Sequence, residues 1–346
     1  GGRRKAYYAA TRAEASAKLN AALHDRDLGL PIVAEKQTVG AYLTSWLAAS
    51  KHQVKPRTHQ RYSELLRVHA IPALGRTLLA RLSPQQVQAL YATKLDAGLS
   101  PTTVHHLHAV LRTAIGYAER QRLVPRNVVA LTTPPRIRRT EMRTLTAEQA
   151  QAFLAAANGD RLQALYVLAM SSGMRQGELL ALRWADVDLD RASLRVRATL
   201  QKTSEGFTFA EPKTSRSRRQ IALAPMAVSS LRAHKARQAE DRLRAGAAWR
   251  DLDLVFANQN GGPLQKGNLL AKSFAPLLRR AGLPRFRFHD LRHTAASLLL
   301  ARGVPVKVVS EMLGHASIAI TLDTYAHILP DMQAQAAREM EAILGG

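Results

Sequence analysis

The stretch FHDLRHTAASLLLARGVPVKVVSEMLGHASIAITLDTY, residues 288–325, combines helical patterns with polar groups suited to chemistry. Its segments HDLRHTAASLLLARG and VPVKVVSEMLG each predict a helix that a glycine ends. His289 and Arg292 lie three residues apart at the start of the first helix, so their side chains face the same way. We expect the neighbouring His293 to point elsewhere. A helix-start His–Asp cap is the alternative interpretation of His289.

The second helix leads to the last two candidates of this stretch. It ends at Gly314, and the imidazole of His315 can donate from there to a phosphate oxygen. Tyr325 is one of eight tyrosines, and it alone follows the Leu-Gly-His phrase at this spacing. We expect the nearby His327 only to flank the site.

Two phrases upstream supply further cations. In SSGMRQGELLALRW, residues 171–184, Arg175 begins a predicted helix, and a guanidinium can fork onto two phosphate oxygens. Glu178 lies one turn on and can hold Arg175 in place, although a surface Arg–Glu pair is the alternative. In EPKTSRSRRQIAL, residues 211–223, Lys213 ends a predicted strand and can reach into a groove.

Together these phrases supply three cations, two imidazoles and one phenol. Those groups suffice to break a phosphodiester bond without a metal, because the phenol attacks, the cations hold the phosphate and a proton donor releases the alcohol. Each phrase alone occurs by chance in many helices. The ordered set is the specific signal.

In order and wording, the phrases resemble the tyrosine recombinases, the phage-integrase family of site-specific DNA recombinases. The resemblance runs over residues 38–346, is strongest over 171–327, and is greatest for integrases of phages and other mobile elements. By that resemblance the catalytic residues are Tyr325, Arg175, Lys213, His289, Arg292 and His315, with Glu178 in support.

The resemblance also implies a mechanism. Tyr325 attacks and leaves a 3′-phosphotyrosine and a free 5′-hydroxyl, so the bond energy is stored and no ATP, metal or other cofactor is required. Lys213 donates the proton to the leaving 5′-oxygen, because desolvation and neighbouring cations lower the pKa of a lysine. Arg292 completes a two-arginine cradle for the phosphate. His289 hydrogen-bonds the phosphate and helps to accept the proton of the nucleophile.

The overall charge of the chain points to a polyanionic partner. Its 346 residues include 50 Lys and Arg against 26 Asp and Glu, for a net charge of +24. Nucleic acid is the default partner of such a chain. A packing protein of the ribosomal or chromatin type is the alternative, but here the basic residues are interspersed with apolar helical patterns.

Two absences bear on location. There is no cysteine, which excludes disulfides and thiolate metal sites, and no apolar run is long enough for a membrane span. We expect a cytoplasmic protein of a bacterial cell or of a phage or mobile-element host.

The front of the chain reads as DNA-binding helices. Residues 38–133 hold four helical segments separated by glycines and Ser-Pro pairs, which predicts a compact, basic bundle that resembles the core-binding domain of the family. Residues 1–31 predict a strand over 3–10 and then a helix that Thr11 and Glu14 cap. This piece resembles the end of an arm-site DNA-binding domain. A plain N-terminal helix is the alternative.

Basic side chains in the bundle and in the Pro-rich linker, residues 134–145, are candidate phosphate contacts. For each residue of the bundle, a solvated surface role is an equally good interpretation. In the bundle they are Lys55, Arg57, Arg61, Arg67, Arg112, Arg120, Arg122 and Arg126. In the linker they are Arg136, Arg138, Arg139 and Arg143. Three histidines of one helix do not converge and therefore predict no metal site: His105, His106 and His108.

The expected fold is mainly α with a small antiparallel β-sheet: a helical core-binding domain plus a mixed α/β catalytic domain, residues 146–346, forming a C-shaped DNA clamp. Three short strands are predicted, ASLRVRATLQ, GFTFAEPK and RRQIALA. The last helix carries an apolar stripe of Met332, Ala336, Met340 and Ile343. By the resemblance, this helix docks on a neighbour in a homotetramer on two double-stranded DNA attachment sites. Strands are then exchanged through a Holliday junction, with accessory DNA-bending or directionality proteins.

Two other functions stay open. A type IB topoisomerase-like enzyme would relax DNA with the same chemistry, although the Leu-Gly-His…Tyr and Pro-Lys-Thr phrases favour a recombinase. A non-catalytic DNA-binding protein of a decayed element is the second. Replacement of any motif residue would have favoured it, and none is replaced.

Overall fold

The computed structural model describes residues 8–27, 36–137, 142–203, 206–211, 218–326 and 332–345. The chain divides into two units, residues 1–140 and 141–346. The expected fold class, mainly helical with small antiparallel sheets, is confirmed.

The first unit is built from helices. They are α1 (Arg12–Asp27), α2 (Val39–Ser50), α3 (Pro56–Leu65), α4 (Ile71–Leu74), α5 (Pro84–Asp96) and α6 (Pro101–Arg120). A π-helical turn over Leu66–Ala70 joins α3 to α4. Short 3-10 turns cover Leu79–Arg81 and Val128–Leu131.

The Ser-Pro pairs start helices as predicted. Ser83 accepts from the backbone N–H of Gln86 over 3.3 Å, and the Gln86 side chain accepts from the N–H of Ser83 over 3.0 Å. Ser100 accepts from the N–H of Thr103 over 3.2 Å. The proline after each serine has no N–H to leave unsatisfied.

The start of the chain differs in part from the prediction. Thr11 does cap α1, because its hydroxyl accepts from the N–H of Glu14 over 3.2 Å. The Glu14 carboxylate returns to the N–H of Ala10, not to that of Thr11. The predicted strand over 3–10 is wrong for residues 8–10, which form no strand, and its earlier part lies outside the described residues.

Hydrogen bonds between buried polar groups connect helices of the first unit. Tyr42 donates to the carbonyl of Ala114 over 2.7 Å, and the hydroxyl of Tyr91 lies 3.0 Å from Nδ1 of His108. Both contacts lie in the apolar core. His108 is therefore a buried residue that packs beside this core.

The second unit is mixed. Its helices are α7 (Ala147–Ala156), α8 (Gln163–Ser172), α9 (Gln176–Leu179), α10 (Pro225–Ala245), α11 (Lys266–Leu269), α12 (Ala275–Arg280), α13 (Asp290–Ala301), α14 (Val306–Leu313), α15 (Ile318–Tyr325) and α16 (Met332–Leu344). Its strands are β1 (Val187–Asp188), β2 (Ser193–Val196), β3 (Thr199–Thr203), β4 (Gly206–Ala210) and β5 (Arg219–Ala222).

The strands form two antiparallel sheets, with the order β1-β2-β5 in one and β3-β4 in the other. The predicted single strand ASLRVRATLQ is therefore wrong, since it splits into β2 and β3. Leu194 on β2 pairs with Ile221 on β5, and both side chains enter the core. Leu200 on β3 pairs instead with Phe209 in the hairpin, outside the fully buried core. The two halves of the predicted strand thus pair with different partners, β2 with β1 and β5, and β3 with β4.

The helix predicted over RQGELLALRW is also shorter than expected. It ends after Leu179, because the chain beyond it is drawn into extended pairing. The carbonyl of Leu182 accepts from the N–H of Val255, and the N–H of Trp184 donates to the carbonyl of Asp253, both over 2.9 Å. These distant partners outweigh the local helical pattern.

Two apolar clusters position the functional region. The larger surrounds the buried helix α8 and includes Phe153, Phe274 and Phe288. The smaller joins α13, α14 and α15 through side chains that include Leu300, Val309 and Tyr325.

Among the described residues, no helix is long and apolar enough to cross a membrane.

Candidate active site

Arg175 is held in place by Glu178. It is the N-cap of α9, and its N–H and Nη1 donate to the two carboxylate oxygens of Glu178 over 3.0 and 2.8 Å. Nη2 donates to the carbonyl of Gly314 over 3.2 Å. The side chain of Glu178 is 3% exposed and that of Arg175 is 38% exposed. The guanidinium is thus anchored by protein on one side and open to solvent on the other.

Arg219 on β5 completes this cluster, and the sequence analysis missed it. Its Nη2 donates to Glu178 Oε2 over 2.9 Å, and its Nε donates to the carbonyl of Met312 over 2.6 Å. Burial alone would raise the pKa of Glu178, but the charge and hydrogen bond of Arg219, followed by those of Arg175, hold this pKa below its usual value. The alternation of side chains along a strand could have identified Arg219, because it lies two residues before the buried Ile221 and so shares its strand face.

Arg292 brings a third guanidinium to the site from α13. Its side chain is buried, and Nη1 donates to the carbonyl of Gly173 over 2.7 Å. Nη2 is buried too and has no hydrogen-bond partner among the described residues. Burial, and then the charge of Arg175, lower the pKa of Arg292 to about 9. A buried cation with an unsatisfied amino group is suited to receive an anion.

Gly173 lets these elements meet. It ends α8 in the left-handed conformation at φ +61°, and a Cβ there would lie 2.6 Å from Leu313 Cδ2. The end of α8 can therefore approach α14 closely, while the Gly173 carbonyl receives Arg292.

His289 and His315 face the same cluster. His289 is the N-cap of α13 but makes no side-chain cap hydrogen bond, which disfavours the capping alternative. Partial burial, and then the charge of Arg292, lower its pKa. His315 follows the left-handed Gly314, and its Nδ1 lies 2.8 Å from the hydroxyl of the buried Thr321. Burial, followed by the charges of Arg292 and Arg175, lowers the pKa of His315 to about 4, so the ring is neutral near pH 7.

Tyr325 contacts His293, which corrects the expectation that His293 points away. The tyrosine is 1% exposed, and its hydroxyl lies 2.8 Å from Nδ1 of His293. His293 lies four residues after His289, so both side chains lie on the same face of the helix. The two imidazole centroids are 5.0 Å apart. Burial raises the pKa of Tyr325 to about 12, although the charge of Arg292 opposes this rise.

Several predicted positions lie outside the described residues. They are Lys213, which follows the end of β4, together with Arg138, Arg139 and His327. In α16 the same holds for the side chains of Met332 and Ala336, whereas Met340 and Ile343 are exposed. For all of these the assigned roles stay predictions.

The candidate DNA contacts in the first unit lie on its surface. Exposed side chains belong to Lys55, Arg57, Arg67, Arg112, Arg122 and Arg136. Arg61 instead forms an ion pair of 3.0 Å with Glu64, an exposed contact weak enough for a phosphate to compete with. A concavity of about 600 Å³ is lined by Arg112, Arg120 and Arg126.

The arrangement can do one kind of chemistry well. Arg175 and Arg292 offer guanidinium donors to an anion, and the neutral ring of His315 adds a further polar contact. Tyr325 places a phenol hydroxyl beside the same cluster, and the neutral ring of His293 contacts this hydroxyl. Nucleophile, anion cradle and proton acceptor are the parts of phosphoryl transfer through a covalent intermediate.

Comparison with known proteins identifies similar families and relatives. The model of the phage integrase family matches residues 143–332, and that of the phage integrase N-terminal SAM-like domain matches residues 38–95. A tyrosine recombinase XerC-like protein of Caldanaerobacter subterraneus is 32% identical, covering 97% of this chain and 91% of the relative. An integrase of Streptomyces ambofaciens is 33% identical, covering 91% of this chain and 82% of the relative.

Solved structures show the same fold. The Tn1549 transposon integrase in complex with a circular intermediate DNA superposes with a TM-score of 0.72 at 20% identity, covering 88% of this chain and 99% of that one. A lambda integrase tetramer bound to a Holliday junction gives a TM-score of 0.60 at 20% identity, covering 90% and 89%. The family models and the sequence relatives together show that the chain belongs to the phage integrase family.

Proposed function

We propose that this chain is a site-specific DNA recombinase that cleaves and rejoins DNA through Tyr325, integrating or excising a mobile element. The observation that carries the proposal is the cluster of cations beside this tyrosine, in which Arg292 is buried and Arg175 is partly exposed. Arg292 holds one amino group without a partner among the described residues, and Arg175 is anchored with its outer side open. An anionic phosphodiester would satisfy both groups.

The cleavage step follows from these parts. The hydroxyl oxygen of Tyr325 attacks phosphorus, a bond forms between them, and the bond from phosphorus to the 5′-oxygen breaks. A 3′-phosphotyrosine and a 5′-hydroxyl result. We assign the proton of the 5′-hydroxyl to Lys213, and we assign Arg175, Arg292, His289 and His315 to the phosphate. Rejoining is the reverse, with a 5′-hydroxyl of another strand as the attacking group.

We also propose the assembly on DNA. The similar solved proteins include an integrase with circular intermediate DNA and an integrase tetramer on a Holliday junction. By analogy, this chain acts on double-stranded attachment sites as a homotetramer, in the cytoplasm of a bacterial host. Met340 and Ile343, 51% and 70% exposed, would lie against a neighbouring copy. Accessory DNA-bending or directionality proteins belong to the same proposal.

Assembly is testable apart from chemistry. The double change Met340→Ser and Ile343→Ser should weaken tetramers on paired sites in native gels, because apolar area is lost. Cleavage of a single nicked half-site should persist. The matched control is Glu339→Ser on the same helix, which should leave assembly intact. Full assembly of the double variant would refute the assignment to α16.

The proposed function itself is tested by covalent trapping. Duplexes from the DNA that flanks the gene in its element are nicked at successive positions through the candidate core and run with protein on denaturing gels. Wild type should give a shifted protein–DNA band, and Tyr325→Phe should not. Tyr166→Phe is the matched control, because Tyr166 is also buried in this unit and its hydroxyl bonds Ser273 over 2.6 Å.

Each outcome decides something. A band that persists in Tyr325→Phe refutes the nucleophile assignment. A band without any joining between two duplexes, together with relaxation of plasmids of any sequence, identifies a type IB topoisomerase-like enzyme. Salt-sensitive DNA binding with no band at any nick position identifies a non-catalytic DNA-binding protein.

A further inference from the structure

We infer that His293 is a further catalytic residue, which accepts the proton of Tyr325 when the tyrosine attacks DNA. The inference rests on the proposed function and adds to it the fate of the proton. It also moves proton acceptance from His289, where the sequence analysis put it, to a residue that no motif singled out.

The geometry joins His293 to the reacting atom. Nδ1 of His293 lies 2.8 Å from the hydroxyl oxygen of Tyr325, a full-strength hydrogen bond between α13 and α15. The ring centroids lie 5.8 Å apart. For the phenol to donate to Nδ1, the proton of the neutral imidazole must lie on Nε2. A general base must lie within hydrogen-bond reach of the proton it abstracts, and His293 does.

The two histidines of α13 lie at different depths and therefore suit different roles. His289 lies at the exposed start of the helix, where a phosphate can reach it. His293 lies one turn deeper, half-buried, with its ring perpendicular to that of His289 and in contact with Tyr325. The outer ring is placed for the phosphate and the inner ring for the phenol.

The charges around His293 keep it neutral before DNA binds. Burial, and then His289, lower its pKa to about 4, and Arg292 and Arg287 act in the same direction. Asp290 on the same helix opposes them. Among the described residues, Tyr325 on α15 and His315 before it are titratable groups that face His293 from other elements. Before DNA binds, the His293 ring is therefore neutral and the Tyr325 phenol, with a pKa of about 12, is protonated.

Substrate binding strengthens the base. A phosphodiester between Arg175 and Arg292 adds a negative charge next to His293 and raises the pKa of its imidazole. In cleavage the phenol O–H bond breaks, its proton goes to Nδ1 of His293, and the phenol oxygen bonds phosphorus. The bond from phosphorus to the 5′-oxygen breaks, and its electron pair goes to the 5′-oxygen. Lys213 protonates that oxygen. In rejoining, His293 returns its proton to the phenol.

Two substrates distinguish the loss of a general base, His293, from the loss of a general acid, Lys213. Single-turnover cleavage is measured on an ordinary nicked site and on the same site with sulfur in place of the bridging 5′-oxygen. A thiolate leaves without protonation, so the sulfur substrate removes the need for an acid but not for a base. The proteins are wild type, His293→Ala, His293→Gln and Lys213→Ala.

On ordinary DNA, both His293 variants should cleave at least ~100-fold more slowly, the usual effect of a lost general base. The sulfur substrate should restore the cleavage rate of Lys213→Ala, whereas both His293 variants should still cleave it slowly. Added imidazole should partly restore His293→Ala, which has room for it, and not His293→Gln. Wild-type rates in the His293 variants, or their rescue by sulfur, overturn the inference.

A second measurement uses the intact fold. In wild-type protein labelled with 15N-histidine, nuclear magnetic resonance should show an unprotonated Nδ1 at His293, and Tyr325→Phe should shift that signal. A protonated Nδ1 overturns the inference whatever the variants do. If wild type forms no covalent adduct, the proposed function fails and the inference fails with it. If wild type forms the adduct and the His293 variants cleave at the wild-type rate, only the inference fails.

Discussion

Arg219 and Glu178 form an ion pair of 2.9 Å in which the side chains are 7% and 3% exposed. The pair joins β5, which follows the segment with Lys213, to α9, which carries Arg175 at its start. Because Arg219 also donates to the carbonyl of Met312, one arginine connects three parts of the site. Glu178 is the anion on which this connection depends.

We therefore expect Glu178→Gln to lower the free energy of unfolding at pH 7 by roughly 3 kcal/mol, because breaking a buried ion pair leaves a charge uncompensated. Denaturant unfolding measures the loss. Glu148→Gln, an exposed carboxylate in the first turn of α7, is the control and should cost much less.

The same comparison has a pH dependence. The pKa of Glu178 is lowered in the folded chain, so its contribution is complete above the unfolded pKa of 4.5 and is lost as pH falls through the folded pKa. The stability difference between wild type and Glu178→Gln should shrink as pH falls below 4.5. A constant difference down to strongly acidic pH would contradict the pairing.

Gly314 should tolerate no side chain. It has φ +68°, and a Cβ there would lie 2.9 Å from Nη1 of Arg219, whose guanidinium is already held. Gly314→Ala should therefore destabilise by ~2 kcal/mol or more and displace His315. Gly303→Ala is the matched control, since it has φ +78° with nothing near the new Cβ.

Thermal unfolding and single-turnover cleavage check this pair of variants. Gly303→Ala should show only the backbone cost, about 1 kcal/mol, with normal cleavage. Equal stability losses in the two variants would mean that Arg219 moves aside freely.

His315 should make stability depend on pH between 6.5 and about 4. Its pKa is about 4 when folded and 6.5 when unfolded, so the unfolded chain binds more protons in this window. The stabilising contribution is complete above pH 6.5 and is lost as pH falls toward 4. Unfolding of His315→Gln across this window should therefore be less pH-dependent than that of wild type. Parallel curves would show that His315 does not titrate in this way.

Arg112 should contribute to salt-dependent DNA binding. It is exposed beside a basic concavity, and loss of one phosphate contact reduces the slope of log affinity against log salt by about 0.9. Arg112→Ala should show that change in a binding titration and cleave normally at saturating DNA. Arg191→Ala is the control of equal charge, in a loop with Asp188 and Asp190 that disfavours phosphate. Equal slopes in the two variants would argue against an Arg112 contact.

Local patterns predicted much of the fold because their causes are local. The Ser-Pro starts of α5 and α6 and the glycine ends of α8 and α14 needed only caps and left-handed backbone. Long-range pairing changed the rest. Strand pairing with residues 253–255 stopped α9 early, and two different partners divided the predicted strand over 192–201.

The sequence by itself determined the helical architecture and the basic charge, and it singled out Arg175, Arg292 and Tyr325 as candidate reactive groups. Those properties reside in side-chain chemistry and in spacings within one turn of helix. Only the tertiary structure decided which histidine touches Tyr325 and which arginine neutralises Glu178. His293 and Tyr325 are 32 residues apart, and Glu178 and Arg219 are 41 apart. Such contacts exist only once the core has packed α13 against α15 and β5 beside α9.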